Sequence, residues 1–297
     1  MKCLEEDLDL DGHALRRFIF CPDDSRGIRA VAMHFHGQGD FAERYGDILE
    51  PFTRLGIACV ATDLPGHGRS EGVRGRVPGF EIVDRIAESN RKRCRELCGE
   101  DQGPLGILGH SAGGLMALRE LLLRPEPYSF SWINSPLLRP ETNQHPLLLR
   151  FAPLIARLVP GLTVGTGVTP DQCTRDPDQF RVDHEEDPSL FHARVSIGWG
   201  YAMIEAARRV RAALCSSPPT IPLLITQGLA DSVCPPQYLH EVLDHATIPQ
   251  LRLREFADAL HEPFADAQSD EVFAVITAWL KEEGLPEGDL AQTSPSG

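Results

Sequence analysis

No stretch of this chain approaches the roughly 18 uninterrupted apolar residues that mark a membrane-spanning helix, so a transmembrane span is excluded. The first residues, Met1-Lys2-Cys3-Leu4-Glu5-Glu6-Asp7, hold no apolar region of the kind a secretory signal needs, and none is expected. Positive charge is scarce. With 29 Lys and Arg against 43 Asp and Glu, the formal net charge is −14. That balance argues against a nucleic-acid partner and against electrostatic attraction to anionic lipid, and it reads as a solubility device. Cysteine pairing is missing too. The eight cysteines, at 3, 21, 59, 94, 98, 173, 215 and 234, show neither disulfide nor zinc spacing. Cys94 and Cys98 can share a helix face, yet no histidine pair or second CxxC lies near them. No metal is expected, and the thiols are expected to be reduced and mostly structural, in the cytoplasm. Internal repeats and low-complexity tracts are absent as well.

What is present suits a globular fold. The 297 residues, 42% of them hydrophobic, are enough for one large domain with an insertion or for two modest ones. Apolar runs of strand length at 17–21, 29–36, 57–63, 104–110, 130–134, 222–227 and 250–256 alternate with helical stretches at 41–55, 80–97, 112–123, 236–245 and 264–283. Such alternation implies right-handed βαβ units and a largely parallel sheet flanked by helices, an α/β class fold. The alternation breaks between about 135 and 206, a proline-rich region that reads as a helical lid inserted after the sixth strand, which ends at Asn134. The expected organisation is a core in two parts, 1–134 and 207–284, with a lid at 135–206 and a fraying tail from 285 to 297.

Gly109-His110-Ser111-Ala112-Gly113 lies where the run at 104–110 meets the helical stretch at 112–123. A G-x-S-x-G turn between strand and helix resembles the nucleophile elbow of α/β-hydrolases. The turn is so sharp that side chains at Gly109 and Gly113 would clash. It lifts the Ser111 hydroxyl above the sheet edge, with a helix N-terminus below that favours developing negative charge. A serine hydroxyl needs a neighbouring base, itself oriented by a third group. The elbow directs His110 away from Ser111, so it is no candidate for that base.

In the hydrolase chain order the acid follows the serine and the base comes last. Asp231 follows the apolar run at 222–227, and His261 follows the run at 250–256, just before the final helical stretch. Asp258 and Glu262 are rival acids that share the loop of His261, while Asn134 is an amide and cannot stabilise an imidazolium. His240 and His245 lie on an intervening helix and are expected at the surface. For the oxyanion, one donor is the backbone N–H of Ala112. The other is expected from His36-Gly37-Gln38-Gly39, with the Gln38 N–H the choice between two glycines.

Asp63-Leu64-Pro65-Gly66-His67-Gly68-Arg69-Ser70 has neither G-x-G-x-x-G nor Walker spacing, so it reads as a shaped turn bordering the site and not as a nucleotide loop. Together with the HGQG loop, GHSAGG, GLADSVCPP and ALHEPF, it resembles the monoacylglycerol lipase and lysophospholipase group of α/β-hydrolases, of serine aminopeptidase S33 type. The resemblance runs from about Ala30 to Leu280. It implies Ser111 as nucleophile, Asp231 as acid, His261 as base, Gln38 and Ala112 as oxyanion donors, no cofactor, and a small acyl ester of one long chain as substrate. Two departures, Gln227-Gly228 in place of the commoner His-Gly and Ala259-Leu260 before the histidine, leave every catalytic group in place and the exact substrate open.

The apolar stretch at 147–159 reads either as an acyl-tunnel wall with transient lipid or micelle contact, or as a lid helix buried against the core. The polar stretch at 171–188, with Arg175, Arg181 and His184, reads as a head-group entrance or a solvated loop. Cys234 reads as a redox-sensitive thiol beside the triad or as a small packing residue. Three alternatives stand beside the lipid reading: a carboxylesterase or thioesterase on small or aromatic acyl groups, and a hydrolase fold kept only for ligand binding. Epoxide hydrolases and dehalogenases are disfavoured, because they place Asp where this chain has Ser111.

Overall fold

The structure, a computed structural model, describes residues 1–23, 27–99, 103–142, 146–176 and 190–285. The polar stretch at 171–188 therefore lies outside the described residues from 177 on, as does the tail at 285–297 from 286 on. Eight strands form one sheet: β1 (Lys2–Leu10), β2 (His13–Cys21), β3 (Ala30–Phe35), β4 (Ile57–Thr62), β5 (Leu105–His110), β6 (Phe130–Asn134), β9 (Leu223–Gly228) and β10 (Leu251–Phe256). Their spatial order is β1-β2-β4-β3-β5-β6-β9-β10. From β4 to β10 neighbours run parallel, whereas β2 joins β1 and β4 antiparallel. This is the α/β-hydrolase fold expected from the sequence.

The inner parallel strands β3, β4, β5, β6 and β9 are buried on both faces, which is why they are rich in apolar residues, whereas β10 at the edge is partly exposed and carries charge. On β3, Val31 and Met33 enter one core with Ile86 of α3 (Phe80–Cys98) and Leu115 of α4 (Ala112–Leu123). Ala30 and Ala32, pointing the other way, join Phe52 and Trp279 in a second core. Those two residues come from α2 (Glu50–Arg54) and, after α7 (Pro236–Leu243), from α8 (Ser269–Glu282). The sheet is thus the middle of three layers.

The segment between β6 and β9 carries α5 (Pro146–Leu158), a small antiparallel pair of β7 (Thr163–Gly165) with β8 (Arg194–Ser196), and α6 (Ile197–Ser216). Residue 206 falls inside α6, which continues unbroken into the core layer, where Val210 and Leu214 are buried.

Two local differences from the sequence reading have simple causes. The stretch 41–55 is split into α1 (Tyr45–Ile48) and α2, with Leu49 between them and Pro51 in the first turn of α2. β1 was not among the expected strands; with it, the strand ending at Asn134 stands sixth. Its half-buried Leu4, Leu8 and Leu10 alternate with exposed acidic residues, so it lacks the continuous apolarity of the inner strands. Arg16 and Arg17 of β2 pair across the hairpin with Glu5 and Glu6 at 2.9 and 3.2 Å. Charge on an edge strand also discourages pairing with another chain.

Candidate active site

Because β3, β5, β9 and β10 are parallel, the loops at their carboxyl ends gather along one edge of the sheet. β5 delivers the serine. Ser111 takes φ 54° and ψ −118°, a strained conformation for an L-residue. A Cβ on Gly113 would stand 2.0 Å from the Phe35 carbonyl oxygen, and one on Gly109 would stand 2.3 Å from that of Gly113. Both positions must therefore be glycine. Ala112 opens α4, where a helix leaves its first N–H groups without intrahelical acceptors.

β9 and β10 bring in Asp231 and His261, the residues expected as acid and base. His261 Nδ1 donates to Asp231 Oδ2 at 2.8 Å, while Asp231 Oδ1 accepts the Val233 and Cys234 N–H groups, each at 2.8 Å. With its proton on Nδ1, the His261 ring keeps Nε2 as its basic nitrogen. Burial opposes the charged form of both groups, raising the Asp231 pKa and lowering that of His261. Their mutual attraction and hydrogen bonding outweigh it, so Asp231 ends below the usual carboxylate value and His261 above the usual imidazole one.

Gln38, Ser111 and His261 line one cavity of ≈ 580 Å³. Leu137, Leu149, Ile155, Phe191, Val195 and Met203 give much of the wall an apolar surface. A larger open groove of ≈ 1100 Å³ elsewhere is lined by residues such as Arg85, Lys92, Arg95 and Glu126, and holds no member of this group. Ser111 Oγ lies 4.0 Å from the Cys234 sulfur, its hydrogen-bond partner among the described residues. Burial pushes the Cys234 thiol well above its ordinary pKa, which keeps it protonated and fits the packing reading over the reactive one.

The rival groups are accounted for. Asp258 and His245 are exposed, whereas His240, expected at the surface, is half-buried and lies 2.5 Å from Glu255 Oε1, well away from the Ser111 cavity. Asn134 Nδ2 donates to His110 Nδ1 at 2.8 Å, and the His110 ring lies beside His261, tilted by 49° with centroids 4.7 Å apart. His67 is buried against the loop that carries Gln38, so the turn at 63–70 does border the site.

Two groups escaped the sequence reading. Gln227 is 1% exposed, and its Nε2 donates to Asp231 Oδ2 at 3.0 Å and to the Cys234 carbonyl at 3.3 Å. Its signal was its place in the acid loop, where the sequence departs from His-Gly. The other is a buried ionic group. Arg44 donates to Asp40 Oδ2 at 3.2 Å and to Glu262 Oε1 at 3.1 Å, and the Tyr45 hydroxyl donates to Asp40 Oδ2 at 2.7 Å. Burial pushes the Asp40 carboxyl up to about 6, against the pull of Arg44. Asp40 and Arg44 are only four positions apart, but that Glu262 joins them beside the Asp231–His261 pair had no short-range signal, because Arg44 and Glu262 are 218 positions apart.

The family model described as serine aminopeptidase, S33, matches residues 26–268. A monoacylglycerol lipase of Mycolicibacterium smegmatis is 26% identical over 88% of this chain and 91% of its own length. Phospholipase YtpA of Bacillus subtilis is 27% identical over 84% of this chain and 94% of its own. Among solved structures, a monoacylglycerol lipase of Paleococcus ferrophilus has a TM-score of 0.79 and 28% identity, covering 91% of this chain and 99% of that one. With Ser111 on its strained turn, Asp231 and His261 paired on neighbouring loops and the match spanning most of its length, the chain belongs to the serine aminopeptidase S33 family of α/β-hydrolases.

Proposed function

We propose that the protein is a serine ester hydrolase that releases a fatty acid from single-chain esters of monoacylglycerol or lysophospholipid type. The observation that carries this reading is the hydrogen-bonded Asp231–His261 pair sharing one largely apolar cavity with Ser111 on its strained turn. Carboxylic ester hydrolysis itself has the support of the family and of the lipases among its relatives.

In the proposed reaction, His261 Nε2 takes the Ser111 proton as Oγ attacks the ester carbonyl. The Gln38 and Ala112 N–H groups hold the oxyanion, and Asp231 stabilises the imidazolium. The same imidazolium protonates the departing alcohol, which leaves an acyl-enzyme. Water deprotonated by His261 then releases the acid and restores the serine.

The segment at 135–206 is proposed as the lid over this cavity, set between core parts 1–134 and 207–284. α5 supports that role with two faces: Leu149, Ala152 and Ile155 line the cavity, whereas Leu147, Phe151, Leu154 and Leu158 are more than half exposed. Transient contact with a lipid or micelle surface gives the exposed face a use. Among the described residues no helix is long and apolar enough to cross a membrane, and all eight cysteines are free. A cytoplasmic setting is proposed from those thiols.

The test is a panel of esters graded by acyl length, run beside a monoacylglycerol and lysophosphatidylcholine, on wild type and Ser111→Ala. Hydrolysis of the long single-chain substrates by wild type alone supports the proposal. Activity confined to acetyl, aromatic or thioester substrates would replace it with the small-acyl esterase or thioesterase reading.

A further inference from the structure

The side chain of Gln38, whose backbone N–H is the proposed oxyanion donor, does not point into solvent. Its Oε1 accepts the indole N–H of Trp199 on α6 at 2.8 Å. Its Nε2 donates to the Arg194 carbonyl of β8 at 2.8 Å and approaches His67 Nε2 at 3.1 Å. The indole nitrogen can only donate and the carbonyl can only accept, so the amide has a single satisfactory orientation. His67 fits the same arrangement. Its Nδ1 lies 3.0 Å from the Pro65 carbonyl, which places the proton there and leaves Nε2 to accept from Gln38. Burial keeps that imidazole neutral, so the acceptor persists across the working pH range.

A second attachment holds the neighbouring residue. The His192 N–H donates to the Gly39 carbonyl at 2.9 Å, and a Cβ on Gly39 would lie 1.9 Å from the His192 carbonyl oxygen. With φ at +82°, Gly39 is the residue type that permits this contact. The segment entering β8 is therefore pressed backbone to backbone on the loop that carries Gln38. Trp199 in turn is 1% exposed and packs on Phe80, with ring centroids 4.9 Å apart.

We infer that Trp199 and the Gln38 side chain form a clamp by which the segment between β6 and β9 sets the direction of the Gln38 backbone N–H. Trp199 is then a positioning residue for oxyanion stabilisation, reaching the site from outside the core loops. The inference rests on the proposed role of Gln38 as an oxyanion donor. It also divides the inserted segment: residues 192–199 are a fixed strut, and any opening of the cavity belongs to α5 and the chain around it. An oxyanion donor works by being aimed in advance, and a small error in its direction lowers the rate without loosening the ground state.

The test uses Gln38→Met, which keeps the backbone N–H and the side-chain length but deletes all three hydrogen bonds. Trp199→Phe, which keeps a ring against Phe80, and the double variant complete the cycle. Expected is a fall in kcat of about tenfold for Gln38→Met, less than the loss of a whole donor, with KM changed by less than about threefold. Affinity for a boronic-acid mimic of the tetrahedral intermediate should fall by the same factor as kcat. The double variant should be no worse than Gln38→Met, because both changes break one contact. Thermal melts of all four proteins separate this from a general loss of folding. An active wild type whose Gln38→Met variant retains its kcat and its boronate affinity overturns the clamp alone, as do single-variant effects that multiply in the double variant. A wild type that hydrolyses no ester and is not labelled at Ser111 by a fluorophosphonate overturns the hydrolase reading, and the clamp with it.

Discussion

At the scale of single residues, the Asp231–His261 pair sets how the protein should respond to pH. A base must be neutral to take the Ser111 proton. Burial alone would lower the His261 pKa, but the Asp231 carboxylate more than offsets it and the net shift is upward from 6.5. The protonated, inactive fraction therefore grows as pH falls through a value above 6.5, and kcat/KM should lose activity with an acid limb centred there. Asp231→Asn removes the cause of the rise while the burial stays. That limb should move to lower pH, and kcat should drop by about 10⁴-fold, as the wrong tautomer is favoured. Gln227→Leu should act in the other direction. Without the amide donor, Oδ2 of Asp231 pulls harder on the imidazole proton, so the acid limb should move up. Rates of fluorophosphonate labelling against pH give the same readings where turnover is too slow. That Asp231 and His261 would meet near Ser111 was legible in sequence, because each of the three follows its own apolar run. Gln227, Arg44 and Glu262 were not, because a polar side chain declares its partner only when the chain has folded.

At the scale of elements, the turn from β5 into α4 is tightly constrained. Gly113→Ala places a Cβ 2.0 Å from a strand carbonyl, where backbone and not a flexible side chain must yield. It should cost about 1–3 kcal/mol in a denaturant titration, with Ser111 misplaced in whatever folds. α5 offers a different experiment. Replacing Phe151, Leu154 and Leu158 by serine alters the exposed face and leaves Leu149, Ala152 and Ile155 on the cavity. Activity on micellar or vesicle-borne long-chain ester should fall, while the rate on a soluble short-chain ester stays. Equal losses on both would remove any role for that face in meeting lipid. Periodicity alone could not assign α5, since a stretch that is apolar on most sides looks the same whether it is buried or bound to a surface. The inner strands were readable for the opposite reason, being buried on both faces, and β1 was missed because edge position and charge erased that signature.

At the scale of the whole molecule, the cavity lies between the core sheet and the inserted segment, and its size bears on the substrate. Its ≈ 580 Å³ lies in the ordinary range for a small-molecule site, and its largely apolar wall suits an acyl chain. The wall is apolar along much of its length, so each methylene added to the acyl group should be drawn from water at about 0.8 kcal/mol. If that binding energy is retained in the transition state, kcat/KM should rise about fourfold per methylene. The rise should continue from acetyl through the medium chains and level off once the cavity is filled. A series of p-nitrophenyl esters from two to eighteen carbons, kept below their aggregation limits, measures the slope and the plateau. Leu149→Trp or Ile155→Trp, which fill part of the wall, should move the plateau to shorter chains without changing the rate on acetyl ester. A flat series, or a maximum at acetyl that these variants leave untouched, would mean that the reacting acyl group does not occupy this cavity, and the fatty-acyl reading would fall with it.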